Sequence, residues 1–280
     1  MKMIASALFL ALGLATATTA QAGSPQILKC PTVSGDPLVY GIGGSTMGSL
    51  LGPMLEKVFE EHKVDFRRWG KASTGLARPD FHDWPKETPG IMKKHHPAVV
   101  VVSLGTNDYQ PLWVGKGEWI QQDDPKWETE YGDRVDALLH AIADDDDDRL
   151  IIWSGPYAFE GDNAEKRAPI VNRIMRERVE AYAQAGGHAI FQDAYGPTAD
   201  DDGKPLKEAV LAPKGKKAVK IRSKDGIHLT ADAVRALLAQ PIVDMVMPCF
   251  AKKDAKKPAA KGGSKTASKT EKSESESAPQ

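Results

Sequence analysis

Cysteine is scarce in this chain. Its 280 residues carry two, Cys30 and Cys249, too few for a disulfide-dense scaffold or a four-cysteine metal site. Charge of one sign is also missing. Thirty-seven Lys and Arg stand against 38 Asp and Glu, a net of −1, so no nucleic acid is expected as a partner. No internal repeat is visible. Long apolar runs are few. One, Ile4–Thr19, lies near the start, and no other segment is read as long and apolar enough to span a membrane.

That first run has a particular grammar. Lys2 precedes it, and Ala20-Gln21-Ala22 follows as a small-x-small site. Residues 1–22 are therefore expected to be a signal peptide, with a periplasmic or secreted mature chain. A membrane anchor is the other reading. In an oxidising compartment Cys30 and Cys249 are candidates for a disulfide near the two ends of the folded part. Two free, buried thiols are the alternative.

Residues 251–280 lack aromatic and branched aliphatic side chains, so they cannot bury enough surface to fold. Eight lysines face Asp254, Glu271, Glu274 and Glu276, a net of +4, which leaves 23–250 near −6. A disordered basic tail on an acidic body suits electrostatic contact with anionic envelope polymers. A merely solubilising tail is the alternative. The span 23–250 is expected to be one domain.

Within it, five apolar runs of strand length alternate with helical patterns. The runs are 37–43, 64–70, 98–105, 149–155 and 188–194. The third, AVVVVSLG, is apolar without a break, as in a strand buried on both faces. Helical stripes include Met47–Val58, Val135–Ile142 and Ile170–Tyr182. A last one follows Thr230, a good N-cap, and Pro241 is expected to break or kink it. Alternating strands and helices predict a parallel sheet with helices on both faces. Ligands of such sheets bind beyond the carboxyl ends of the strands.

Chemistry-bearing residues fall at those ends. GIGGSTMGSL places Ser45 where the first strand becomes a helix. There its Oγ would be exposed beside backbone N–H groups. A small turn residue is the plainer reading. Gly75 follows the second run, in a loop where a bare N–H can approach a ligand oxygen, though glycine is also an ordinary turn residue. Asn107, in GTNDYQ, follows the third. A carboxamide is a neutral donor suited to developing oxygen charge, or part of an Asn-Asp turn. SKDGIHLT sets Asp225 three residues before His228. A turn there lets the carboxylate hold one ring nitrogen while the other receives a proton. An incidental surface histidine is the alternative.

Taken as a set, these pieces resemble the SGNH (GDSL-type) hydrolase superfamily over about residues 37–245. GTND and DGIH carry most of the resemblance, and GLARPDFHDWP looks like the second block of an exported bacterial branch whose members are largely uncharacterised. The resemblance implies a three-layer α/β/α, flavodoxin-like fold with a five-stranded parallel sheet. It implies a serine esterase with Ser45 as nucleophile, His228 as base and Asp225 orienting it. Ser45 N–H, Gly75 N–H and the Asn107 amide would form the oxyanion hole. No metal and no cofactor are implied. One position departs: the usual Gly-Asp-Ser reads Gly43-Gly44-Ser45 here. Gly-x-Ser-x-Gly is absent, which argues against an α/β-hydrolase elbow.

Arg78, Trp84 and Trp113 are candidates for binding substrate, the first to a carboxylate or hydroxyl and the tryptophans to a sugar face. A loop salt bridge and ordinary packing are their alternatives. The expected substrate is an O-acetyl group on an envelope or extracellular polysaccharide. A lipid ester or thioester, and a non-catalytic carbohydrate-binding protein on the same scaffold, are the other readings. Asp144–Asp148 reads as a solvated linker. His95-His96 lacks a third metal ligand nearby.

Overall fold

Both faces of the third apolar run are buried, and this organises the molecule. A computed structural model describes residues 29–32, 36–161, 164–211 and 217–250. The expected signal peptide (1–22) and the expected tail (251–280) lie outside the described residues. In β3 (Val99–Ser103), Val100 and Val102 face one core while Val99 and Val101 face the other. A strand packed on two sides needs apolar side chains at every position, so alternation disappears.

β3 pairs in parallel with β1 (Leu38–Gly43) on one side and β6 (Leu150–Ser154) on the other. β2 (Asp65–Gly70) and β7 (Ala189–Gln192) form the edges, giving the order β2-β1-β3-β6-β7. This is a flavodoxin-like arrangement. Two short antiparallel hairpins complete the strands. One joins β4 (Leu112–Gly115) to β5 (Glu118–Ile120), the other β8 (Glu208–Ala209) to β9 (Val219–Lys220). Between the two strands of the second hairpin, residues 212–216 are not described.

The helices form two layers. α2 (Trp84–His95), α3 (Lys126–Ala143) and α4 (Ala164–Gln184) cover one face with Trp84, Trp127, Tyr131 and Val171. α1 (Leu51–Glu61) and α5 (Ala231–Phe250) cover the other with Leu51, Leu55, Leu238 and Ile242. Asp83 caps α2, accepting from Lys86 N at 3.2 Å. Thr230 caps α5 as expected, accepting from Ala233 N at 3.3 Å.

α5 bears on two sequence expectations. It does not break at Pro241. A wide π-turn over Val234–Ala239 precedes the proline, and the helix continues to Phe250. The added residue in that turn spares the proline ring a clash with the carbonyl behind it. By length and composition α5 could also cross a membrane. Here its apolar stripe, Val234, Leu238, Ile242 and Val246, is spent on the core.

Cys30 and Cys249 are joined, with Cα atoms 5.1 Å apart. The bridge links positions 219 residues apart, pinning the segment before β1 to the end of α5.

Candidate active site

Gly43 ends β1 against the backbone of β3. A Cβ there would sit 2.1 Å from Ser103 O. Gly44 N then donates to Ser103 O at 3.1 Å, and the chain turns. Ser45 already has helical angles, φ −59° and ψ −32°. The next five residues, Thr46–Leu50, form a π-turn before α1 begins. Ser49 Oγ donates to Ser45 O across it at 2.9 Å. Ser45 is thus held at the N-terminal end of a helix, half-buried, at the carboxyl end of a central strand. π-turns inside helices are frequent at functional sites.

Ser45 lines a cavity of about 190 Å³ together with Asn107, Tyr157, Phe159, Ile227 and His228. These come from four separate stretches of chain. Burial pushes the Tyr157 phenol up to about 12, so it stays a neutral wall. His228 enters from the turn before α5. Its Nδ1 lies 2.7 Å from Asp225 Oδ2. The other oxygen, Oδ1, accepts from Ser223 Oγ (2.8 Å), Ile227 N (2.9 Å) and His228 N (3.0 Å). The contact with His228 first, and then the hydrogen bond from Ser223, hold the Asp225 carboxyl well below the usual carboxylate range. Gly226, at φ +74°, makes this tight turn possible.

With Nδ1 facing a carboxylate, the neutral ring carries its proton on Nδ1 and leaves Nε2 to accept. Among the described residues, however, no hydrogen bond joins Ser45 Oγ to His228. Both line one cavity, but the contact is open. Free sites often hold such contacts long and tighten them around substrate.

Asn107 lines the same cavity and donates from Nδ2 to Thr74 O at 2.9 Å. This places Gly75 differently from the sequence expectation. Carbonyl and N–H point to opposite sides of a trans peptide. Since Thr74 O faces Asn107, the Gly75 N–H faces away from it. Gly75 accordingly borders a different hollow. Of the three residues expected to supply oxyanion donors, Ser45 and Asn107 line one cavity and Gly75 does not.

Asp108, next to Asn107, is the residue that sequence reasoning passed over. It is fully buried. Its Oδ1 accepts from Ala77 N and its Oδ2 from Tyr131 OH, both at 2.8 Å. Burial pushes its carboxyl up. A Cβ on Gly75 would meet Asp108 Oδ1 at 2.1 Å, so the glycine is needed for this packing. The only available signal was its place beside Asn107 in GTND.

The three substrate-binding candidates do not reach the Ser45 cavity. Arg78 grips Asp80 with Nε and Nη2 at 2.9 and 2.8 Å, and its guanidinium lies over Trp119. It is a loop salt bridge. Trp84 is fully buried, packed near Trp69 and His82, and donates to Thr74 Oγ1 at 3.2 Å. With no free face, it packs rather than stacks on a ligand. Trp113 is half-buried in β4 and borders the Gly75 hollow. Among the described residues no group of three or more His, Cys, Asp or Glu is placed to hold a metal ion.

The fold has relatives of known structure. A protein assigned as a GDSL-like lipase from Bacteroides ovatus superposes with a TM-score of 0.51 at 12% identity, over 76% of this chain and 54% of the other. A gut microbial diltiazem-metabolizing enzyme gives 0.50 at 14%, over 78% and 48%. This chain thus spans about half the length of each. At these identities the likeness is one of fold: an α/β architecture with a five-stranded parallel sheet, as in GDSL-type hydrolases. No protein of the curated collection matches the sequence. Residues 38–245, which hold all five strands of the sheet together with Ser45, Asn107, Asp225 and His228, match the family described as "Protein of unknown function (DUF459)", and the chain belongs to that family.

Proposed function

We propose that this protein is an exported serine esterase of the SGNH type. The observation that carries the reading is the His228 Nδ1 to Asp225 Oδ2 contact at 2.7 Å, on an imidazole that lines one cavity with Ser45 and Asn107. In the proposed reaction Ser45 Oγ attacks the acyl carbonyl, and its proton passes to His228 Nε2. Asp225 holds the ring and stabilises the imidazolium. Charge on the former carbonyl oxygen is met by the Ser45 N–H and the Asn107 amide. His228 returns the proton to the leaving alcohol. Water, deprotonated by the same imidazole, then releases the acid.

The substrate proposed is an O-acetyl group on an envelope or extracellular polysaccharide. The cavity of about 190 Å³ is below the usual range for drug-sized ligands. It suits a short acyl group better than the chain of a lipid ester or thioester. Export, and attraction of the lysine-rich tail to anionic envelope polymers, belong to the same proposal.

One other reading has an observation in its favour. The open Ser45–His228 contact and the outward Gly75 N–H fit a carbohydrate-binding protein without turnover. Labelling with a fluorophosphonate, followed by peptide mapping, separates the two. Modification at Ser45, with p-nitrophenyl acetate hydrolysis lost in Ser45→Ala, supports the esterase. An unlabelled, inert wild type that still binds sugar ends it.

A further inference from the structure

A second hollow, of about 380 Å³, lies beside the Ser45 cavity. One peptide relates the two. Thr74 O is bonded to Asn107, which lines the Ser45 cavity, while Gly75 borders the second hollow. Its walls are largely apolar: Leu76, Pro79, Pro85, Trp113 and Val114. Trp113 is half-buried, so part of it is open. Its cross-strand partner Trp119 is 41% exposed, and Phe81, whose ring lies 5.6 Å from the Arg78 guanidinium, is 60% exposed.

Besides Asp83, whose Oδ1 accepts from Lys86 N, two polar groups at this hollow are unfinished. The first is His82, 8% exposed. Its Nδ1 is 3.2 Å from Lys71 Nζ. An ammonium only donates, so Nδ1 accepts and the ring proton sits on Nε2. Nε2 is buried and has no hydrogen-bond partner. Buried donors are nearly always satisfied. The second is Glu130. Arg134 bonds it through Nε and Nη2, both to Oε1, leaving Oε2 as an acceptor. Arg134 itself is occupied by the carbonyls of Leu76, Ala77 and Trp113.

An apolar aromatic wall with one donor and carboxylate acceptors, Glu130 and Asp83, matches the chemistry of a sugar ring. One face of a pyranose is largely C–H, and its hydroxyls donate and accept around the rim. An acyl chain would leave both polar groups unanswered. The volume lies within the range of small-molecule sites, and its walls are the loop 75–83, β4, the start of α2 and α3. We infer that this hollow binds one pyranose unit of a glycan, stacked on Trp113, with hydroxyls bonded to His82 Nε2–H and Glu130 Oε2. That this unit adjoins the ester-bearing one rests on the esterase reading; the sugar site itself does not.

The test uses the full-length chain and neutral tetrasaccharides of xylose, glucose and N-acetylglucosamine. In nitrogen-15 NMR titrations at least one should shift the Trp113 indole N–H and the His82 ring signals saturably. Trp113→Ala should weaken that binding at least tenfold, and Trp113→Phe should restore most of it. With acetylated tetrasaccharide, Trp113→Ala should raise KM at least tenfold more than it does for p-nitrophenyl acetate. Absence of saturable shifts with all three sugars overturns the inference, and an equal KM change on both esters overturns the placing of that unit next to the ester-bearing one. The wild-type titration decides alone if the alanine variant does not fold. An enzyme inert on both esters would remove the esterase reading while the titration still judged the sugar site.

Discussion

Asn107 donates its side-chain amide to the Thr74 carbonyl at 2.9 Å, and this bond decides which way the loop after β2 faces. The same amide is the best-placed neutral donor beside Ser45. Asn107→Ala is expected to lower kcat on p-nitrophenyl acetate by about 10²–10³-fold with a smaller change in KM. A rise in KM alone, with kcat intact, would remove Asn107 from the transition state.

Asp225 orients His228 in the open. Their side chains are 46% and 62% exposed, so water can partly replace a missing carboxylate. Asp225→Asn should therefore cost less than the loss of about 10⁴-fold seen where the acid is buried, whereas His228→Ala should abolish measurable turnover. Single-turnover kinetics would compare them. Equal residual activity in His228→Ala and wild type would exclude the imidazole.

The pH dependence follows from the same pair. The Asp225 carboxyl is held well below its ordinary range. A lowered carboxyl supports the fold above its unfolded value and loses that support only as pH falls through the folded one. It stays charged between pH 5 and 7, so a decline in kcat/KM there would not be the protonation of Asp225 itself. Asp225→Asn should move this limb to lower pH, because the imidazolium loses its counter-charge. A profile flat to pH 4 in the wild type would contradict a histidine base.

Asp108 is expected to matter for stability first. Asp108→Ala strands Ala77 N and Tyr131 OH in the core, at a cost of about 2–4 kcal/mol. Asp108→Asn keeps the shape and one acceptor, and should cost less. Urea unfolding would order the three proteins. An Asp108→Ala variant as stable as wild type would show that the loop finds other partners.

Reduction tests the bridge between Cys30 and Cys249. Closing a loop of this length stabilises by up to about 5 kcal/mol in the chain-entropy view. Cys30→Ser, or reductant added to the wild type, should lower Tm substantially, and the two together no further. A Tm indifferent to reductant would count against the bridge.

The strands, the parallel sheet and the places of Ser45, Asn107, Asp225 and His228 could be read from the chain alone. Each rests on a local pattern. A strand buried on both faces is apolar throughout, a helix start takes Thr230 as its cap, and a three-residue spacing folds Asp225 back on His228. The hairpin 112–120 could not be read, because its strands are short and half exposed. Nor could the roles of Arg78 and Trp84, since a salt bridge and a buried ring look the same in sequence as a binding residue. The direction of the Thr74–Gly75 peptide, the continuity of α5 through Pro241 and the hollow beside Trp113 were decided by tertiary structure. Each depends on what distant segments place against it. Peptide orientation and cavity shape are set by such non-local contacts, and no stretch of sequence contains them.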